Sequence, residues 1–448
     1  MNEPIFSTRI NYICLTVAIG GLLFGFDTAV ISGAIGPIKS QFALDAVQEG
    51  WLVSSGLAGC IGGVLVAGVL SNRAGRKRTI LLAAAMFFAS GIGCAVSGGV
   101  TGLIVARVIG GIGVGMASVL SPMLISEFAP ASKRGQMVAY YQLAITVGIL
   151  LAYFSNAFII SWMKEEEVWR PMFGVMAIPS VVFILLLIRV PESPRWLVSV
   201  GREEKARQVL ERIRPAAQAD KELSDIGRAA RQSEGKKASL WEGAIRLPLV
   251  IGILLAVFQQ FSGINAIIYY GPRIFQEAGI GGNNALVFQV IIGSINVLFT
   301  IIAIVFSDRY GRKFLLVTGL TGIIFSLIVC GYLFQPGHMQ GVVLLVFMLI
   351  YIACFAFSLG PVTWIIINEI FPTRVRVQAV SVCTAAVWIA VWLVGQFFPW
   401  LLEKAGASFT FWSFAFFSLI NFFFSWKVVR ETKGKTLEEM ETVFIAPH

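Results

Sequence analysis

The chain has 448 residues, of which 57% are hydrophobic and only 13% charged, with 35 Lys+Arg against 25 Asp+Glu and a formal net charge of +10. A soluble chain would carry roughly 25% charged residues, so a soluble enzyme, a secreted disulfide scaffold and a disordered tail are excluded together. The apolar runs reach the length of about 20 residues that one bilayer crossing requires, and the basic excess sits in short loops between them, which argues for membrane orientation and against nucleic acid.

Taken in chain order, spans are predicted at 9–35, 49–70, 79–97, 101–127, 137–160 and 169–190, then at 247–270, 284–307, 314–334, 341–367, 376–402 and 408–428. The first run follows Arg9, lacks a small-residue cleavage site and continues through Asp27 toward Ala34, so it reads as a retained helix and not as a signal peptide. Between the sixth and seventh spans lies the one long polar stretch. Within it GREEKARQVLERIR (201–214) and KELSDIGRAARQ (221–232) place Val, Leu and Ile at helical spacing among charges, as amphipathic surface helices do. The expected organisation is all-α: a six-helix bundle over 1–190, a helical linker over 191–246, a second six-helix bundle over 247–428 and a tail over 429–448. Lys and Arg concentrate at the N-terminus, in every second loop and in the tail, so both termini are expected in the cytoplasm and the protein in the plasma (inner) membrane.

The six cysteines all fall in apolar runs without metal-ligand spacing, and read as small packing residues. The two histidines are His338, in an external loop, and His448, the last residue. With no nucleophile beside a base and no second intramembrane Asp, neither catalysis nor a metal or other cofactor is expected. GGIGVG (110–115) imitates a nucleotide loop, but it lies inside an apolar span with no preceding strand, where close helix packing is the better reading.

The two halves echo each other. SNRAGRKR begins at Ser71 and SDRYGRKF at Ser307; EFAPASKRGQ begins at Glu127 and EIFPTRVRVQ at Glu369; PESPRW contains Glu192 and VRETKGK contains Glu431. Three charged motifs in one order and at a near-constant offset point to duplication of a six-helix unit. Paired bundles of this kind place a site at their interface near the bilayer midplane, the plan of a secondary transporter.

Asp27 is the only Asp within an apolar span, and Arg107 is the matching intramembrane cation. An acid at mid-membrane costs about 2.5–3.5 kcal/mol on insertion scales and is usually functional. Burial favours its neutral form and a nearby cation its charged form, a balance that suits proton loading and release. A permanent structural ion pair is the competing reading. In the seventh span Gln259, Gln260, Asn265 and Tyr269 surround Ser262-Gly263, where the helix can unwind. Large polar side chains are expensive against lipid and are expected to face the interior. The repeated loop motifs read as a gate at the cytoplasmic rim, formed by Arg73, Glu127, Arg134, Glu192 and Arg195 in one half and Arg312, Glu369, Arg376 and Glu431 in the other. Exposed pairs contribute only about 0–1 kcal/mol each, so only a network of them would bias the two bundles.

GGLLFGFDTAVISGA (20–34), SNRAGRKR, RVIGGIGVGMAS (107–118), PESPRWL (191–197), FQQFSGINAIIYY (258–270), LGPVTW (359–364) and ETKGKTLEE (431–439) together resemble the sugar porter family of the major facilitator superfamily, over nearly the whole chain. The first span and QQFSGIN are most similar to bacterial proton-coupled pentose and hexose symporters. The resemblance implies import of a monosaccharide with a proton, or an uncoupled facilitator of the same fold, with the lipid bilayer as surroundings and the monomer as working unit. It implies sugar binding by Gln259, Gln260, Asn265 and Tyr269, together with Gln142, Asn296, Gly360 and Trp364, in a cavity lined by Phe24 and Trp388. Related facilitators carry a neutral residue at the Asp27 position, which favours proton coupling here, with Arg107 modulating Asp27. The chain departs from the pattern at Val387, where the similar symporters carry a polar amide, and Gln396 lies two turns further on. It departs also at Asn72, Val377 and Arg430, which makes the expected gate asymmetric.

Overall fold

The computed structural model describes residues 3–130, 133–163, 167–233, 243–371 and 375–432. All secondary-structure elements among them are α-helices. The first five spans are α1 (Glu3–Phe42), α2 (Ala46–Ala74), α3 (Arg76–Ala95), α4 (Val100–Phe128) and α5 (Arg134–Trp162), and the sixth is divided into α6 (Trp169–Gly174) and α7 (Ala177–Arg189). A linker of α8 (Pro194–Ser199), α9 (Glu203–Ile213) and α10 (Ala216–Ser233) follows, where the mixed charges place surface helices.

The second half is described from Gly243. Its seventh span is broken into α11 (Gly243–Phe261) and α12 (Ile264–Glu277), the eighth and ninth are α13 (Gly282–Tyr310) and α14 (Arg312–Leu333), and the tenth is broken into α15 (Gly341–Phe357) and α16 (Leu359–Glu369). The remaining helix, α17 (Arg376–Lys427), turns at Gly406, where φ is +81°. Among the described residues, eleven segments are long and apolar enough to cross a membrane, and the last of them is 50 residues long. Divided at that glycine it supplies two crossings, so the spans number twelve, in two six-helix bundles.

Small residues set how closely the helices approach. A Cβ on Gly111 of α4 would stand 1.8 Å from the Gly56 carbonyl oxygen of α2, and one on Gly115 would stand 2.1 Å from that of Cys60. The reverse holds for Gly59 and Gly63 of α2 against Val108 and Ile112 of α4. The glycine run of the fourth span is thus a packing surface of the small-xxx-small kind, where backbones touch because side chains do not intervene. On the other flank, Gly25 of α1 lies against Ile145 of α5, and Gly148 of α5 against Leu22 of α1, at distances that no side chain would permit. These two seams fix α4 against α2 and α1 against α5, and α1 and α4 carry Asp27 and Arg107.

The linker docks on the ends of the first half. Trp196 Nε1 donates to the Asn72 carbonyl at 2.9 Å, Arg214 Nη2 to that of Phe128 at 2.9 Å, and Arg9 Nη1 to that of Arg212 at 3.0 Å. This side of the molecule is the linker face. The two halves meet chiefly through α2 with α17, α5 with α13 and α1 with α12.

Candidate functional site

Asp27 and Arg107 are only 5% and 3% exposed, and Arg107 Nη1 stands 3.7 Å from Asp27 Oδ1. That is ion-pair range but longer than a direct hydrogen bond. The guanidinium fits because α2 presents Gly56 to it, where a Cβ would lie 3.0 Å from Nη2, and Phe173 covers it with ring centroid 5.8 Å away. Gly110, on the next turn of α4, leaves the same kind of clearance beside Asp27 and Ser90. Asp27 therefore faces the bundle interior and not lipid.

One turn back along α1, Phe24 meets Trp388 of α17, with ring centroids 5.2 Å apart at an interplanar angle of 49°. Trp388 is buried and Phe24 half-buried. The seventh span breaks where the sequence suggested: Gly263 has φ +91° and ψ 8°, in the left-handed region, and separates α11 from α12. The break releases backbone groups that side chains take up. Tyr351 Oη donates to the Ser262 carbonyl at 3.0 Å, and Ser262 Oγ donates to that of Gln259 at 2.7 Å.

Around the break three amides form a chain. Asn265 Nδ2 donates to Gln260 Oε1 at 2.5 Å, Gln260 Nε2 donates to Gln259 Oε1 at 3.1 Å, and Gln259 Nε2 donates to the carbonyl of Leu359 at 2.7 Å and to that of Gly360 at 3.3 Å. Those carbonyls belong to the first turn of α16, just after the tenth span is interrupted at Ser358 (φ −124°, ψ −88°). The two broken spans of the second half are thus tied together by Gln259 as well as by the Tyr351–Ser262 bond. Tyr269, on α12, is buried. Asn296 of α13 is buried, while Gln142 of α5 and Trp364 of α16 are half-buried. Val387 is buried beside Trp388. Gln396 is engaged elsewhere, accepting from Ser54 Oγ at 2.6 Å and donating to the Val47 carbonyl at 3.2 Å.

The rim charges form two matching clusters at the linker face. In the first half Arg76 Nε lies 3.6 Å from Glu127 Oε1. Glu192 Oε1 accepts from the Lys77 backbone N–H at 3.0 Å, capping the first turn of α3. In the second half Arg312 Nη2 lies 3.1 Å from Glu369 Oε1, and Glu431 accepts from the backbone N–H groups of Arg312 and Lys313 at 2.9 and 3.0 Å, capping α14. Thr432 Oγ1 also donates to Glu369. Gly75 (φ +97°) and Gly311 (φ +87°) occupy equivalent turns, and a Cβ on either would collide with the capping carboxylate. The pairs Arg76–Glu127 and Arg312–Glu369 each lie within one half. Arg73 and Arg195 are exposed, and Arg376 donates to the Phe371 carbonyl at 3.2 and 3.1 Å. The side chain of Arg134 lies outside those described.

Among the described residues, ties that cross between the halves lie toward the opposite face, and here the sequence reading missed three residues, Lys39, Glu49 and Arg273. Arg273 Nη1 of α12 meets Glu49 Oε2 of α2 at 2.6 Å, and Lys39 Nζ of α1 meets the same oxygen at 2.7 Å. Nearby, Ser32 Oγ donates to Gln289 Oε1 at 2.8 Å and Tyr153 Oη to the Ile268 carbonyl at 3.1 Å. Charges at span ends carry no distinguishing signal in sequence, because interfacial Lys, Arg and Glu flank most membrane helices.

A sequence profile described as "Sugar (and other) transporter" matches residues 13–444. The arabinose-proton symporter of Bacillus subtilis (strain 168) is 41% identical over 97% of this chain and 94% of its own. The D-xylose-proton symporter of Escherichia coli (strain K12) is 40% identical over 99% and 97%. Among solved structures, the inward open conformation of the xylose transporter XylE from E. coli superposes with a TM-score of 0.84 at 36% identity, covering 97% of this chain and 99% of that one.

Proposed function

The chain belongs to the sugar transporter family of the major facilitator superfamily, and on that footing we propose that it imports a monosaccharide, a pentose or hexose, together with a proton by alternating access. The observation that carries the coupled reading is the buried Asp27, 3.7 Å from Arg107 and one turn from the Phe24–Trp388 contact. In this reading Asp27 takes up and releases the coupled proton, and Arg107 is the cation that faces it.

Gln259, Gln260 and Asn265 are the sugar-facing amides in this reading, joined by Gln142, Asn296 and the Gly360–Trp364 turn. Hydroxyls need neutral donors and acceptors, and an aromatic wall suits the apolar face of a sugar ring. Phe24 and Trp388 supply that wall. The relatives are named for arabinose and for D-xylose, and Val387 places the choice of sugar in this chain with its remaining amides. Both termini and the linker are placed in the cytoplasm, by the distribution of Lys and Arg. The rim carboxylates Glu127, Glu192, Glu369 and Glu431, with Arg73, Arg134, Arg195, Arg312 and Arg376, form a cytoplasmic gate that closes when the site turns outward. The unit that transports is the monomer.

Uptake of a radiolabelled sugar panel into proteoliposomes, with and without an imposed pH gradient, tests the whole. Asp27→Asn should abolish uphill accumulation and spare sugar exchange. Unimpaired concentrative uptake by that variant, or sugar addition that leaves the external pH unchanged in the wild type, leaves an uncoupled facilitator instead.

A further inference from the structure

Glu49 is 1% exposed, and two cations share its Oε2 atom. They come from different places. Lys39 belongs to the same half as Glu49, whereas Arg273 comes from the other half, on α12. That helix has 14 residues, begins after the break at Gly263, bears Asn265 and Tyr269 before its kink at Tyr270, and ends just past Arg273. The arm that reaches Glu49 is therefore the helix that reaches the amide chain.

We propose that Lys39, Glu49 and Arg273 form an external latch of the transport cycle, in which Arg273 holds the halves together and Lys39 is the counter-ion that lets them part. The proposal rests on the alternating-access reading above and adds the device that closes its outer side. If the halves separate at this face, Arg273 leaves with α12, and its side chain, 16% exposed, already has a route to water. Glu49 stays behind. A carboxylate left bare in a buried position is strongly disfavoured, and Lys39 removes that penalty because it moves with Glu49. Arg273 thus favours the closed outer face, and Lys39 favours its opening. A purely structural ion cluster has no such opposition: loss of either cation would loosen it.

The test is hydrogen–deuterium exchange of the full chain in lipid nanodiscs, comparing wild type with Arg273→Gln, Lys39→Gln and Arg273→Lys. Arg273→Gln should shift the equilibrium outward by about tenfold, raising exchange over 46–54 and 268–277 and lowering it at the linker face. Lys39→Gln should move the same segments the opposite way, and Arg273→Lys should restore the wild-type pattern. Unchanged exchange in Arg273→Gln, or a change in Lys39→Gln of the same sign as in Arg273→Gln, overturns the latch. Should Arg273→Gln fail to fold, the direction of the Lys39→Gln change decides alone. Sugar-driven proton uptake by the same preparations tests symport separately, so a failure of coupling and a failure of the latch are told apart.

Discussion

The rings of Phe24 and Trp388 meet at 5.2 Å between centroids, and they come from opposite halves of the molecule. The contact sits at the seam that alternating access must rearrange, one turn from Asp27. An aromatic pair of this kind contributes about 0.5–1.5 kcal/mol beyond its buried area, and in the proposed site the indole also faces the sugar ring.

Trp388→Ala should therefore weaken sugar binding about tenfold, equivalent to about 1.4 kcal/mol. Phe24→Leu, which keeps bulk and loses the ring face, should weaken it less. Sugar binding by calorimetry on purified protein checks both, and equal losses in the two variants would deny Trp388 its larger share.

Gly263→Ala places a side chain on a residue at φ +91°, with its Cβ 2.5 Å from the Phe414 ring. The left-handed backbone alone costs about 1–2 kcal/mol, and the collision adds to it. The expected outcome is a lower unfolding temperature together with weakened sugar binding, because the amide chain is anchored on that turn. Thermal unfolding with and without sugar measures both.

Val387→Gln restores an amide next to Trp388. A buried site that gains a partner for a sugar hydroxyl should discriminate more sharply between sugars that differ at that hydroxyl. Competition of xylose, glucose, galactose and arabinose against the transported label reads the change. Identical affinities and order in variant and wild type would show that position 387 does not face the sugar.

Glu192→Ala and Glu431→Ala should each reduce stability by about 1 kcal/mol, the usual worth of a helix N-terminal cap. Each carboxylate accepts backbone N–H groups at the start of α3 or α14. Concentrative uptake corrected for folded protein should also fall in both, because these carboxylates belong to the proposed gate. Uptake that survives while stability drops would leave them as helix caps alone.

The membrane fold was legible in sequence because lipid leaves few choices: backbone polar groups must pair within the helix, so apolar length alone marks each span. Asp27 and the Gln259–Asn265 cluster were legible for the same reason, since polar groups are conspicuous where they are expensive. The glycine seams were visible as a run in α4, but not their partners in α2, because which helices touch is set by tertiary packing. Glu49 and Arg273 were hidden among ordinary interfacial charges, and their distance in sequence gives no hint that one oxygen joins them. The capping of α3 and α14 by Glu192 and Glu431 was likewise hidden. The sequence showed a repeated acid beside repeated basic residues, which suggests ion pairs, whereas each of these carboxylates also accepts backbone N–H groups at a helix start.

Gln259, Gln260 and Asn265 spend their hydrogen bonds on one another and on two carbonyls of α16. In the proposed sugar site, a hydroxyl arriving there exchanges with one of these bonds, and the gain is the difference between two similar quantities. On that reading the cargo is gripped lightly and quickly surrendered on the far side, and the arrangement favours throughput over tenacity.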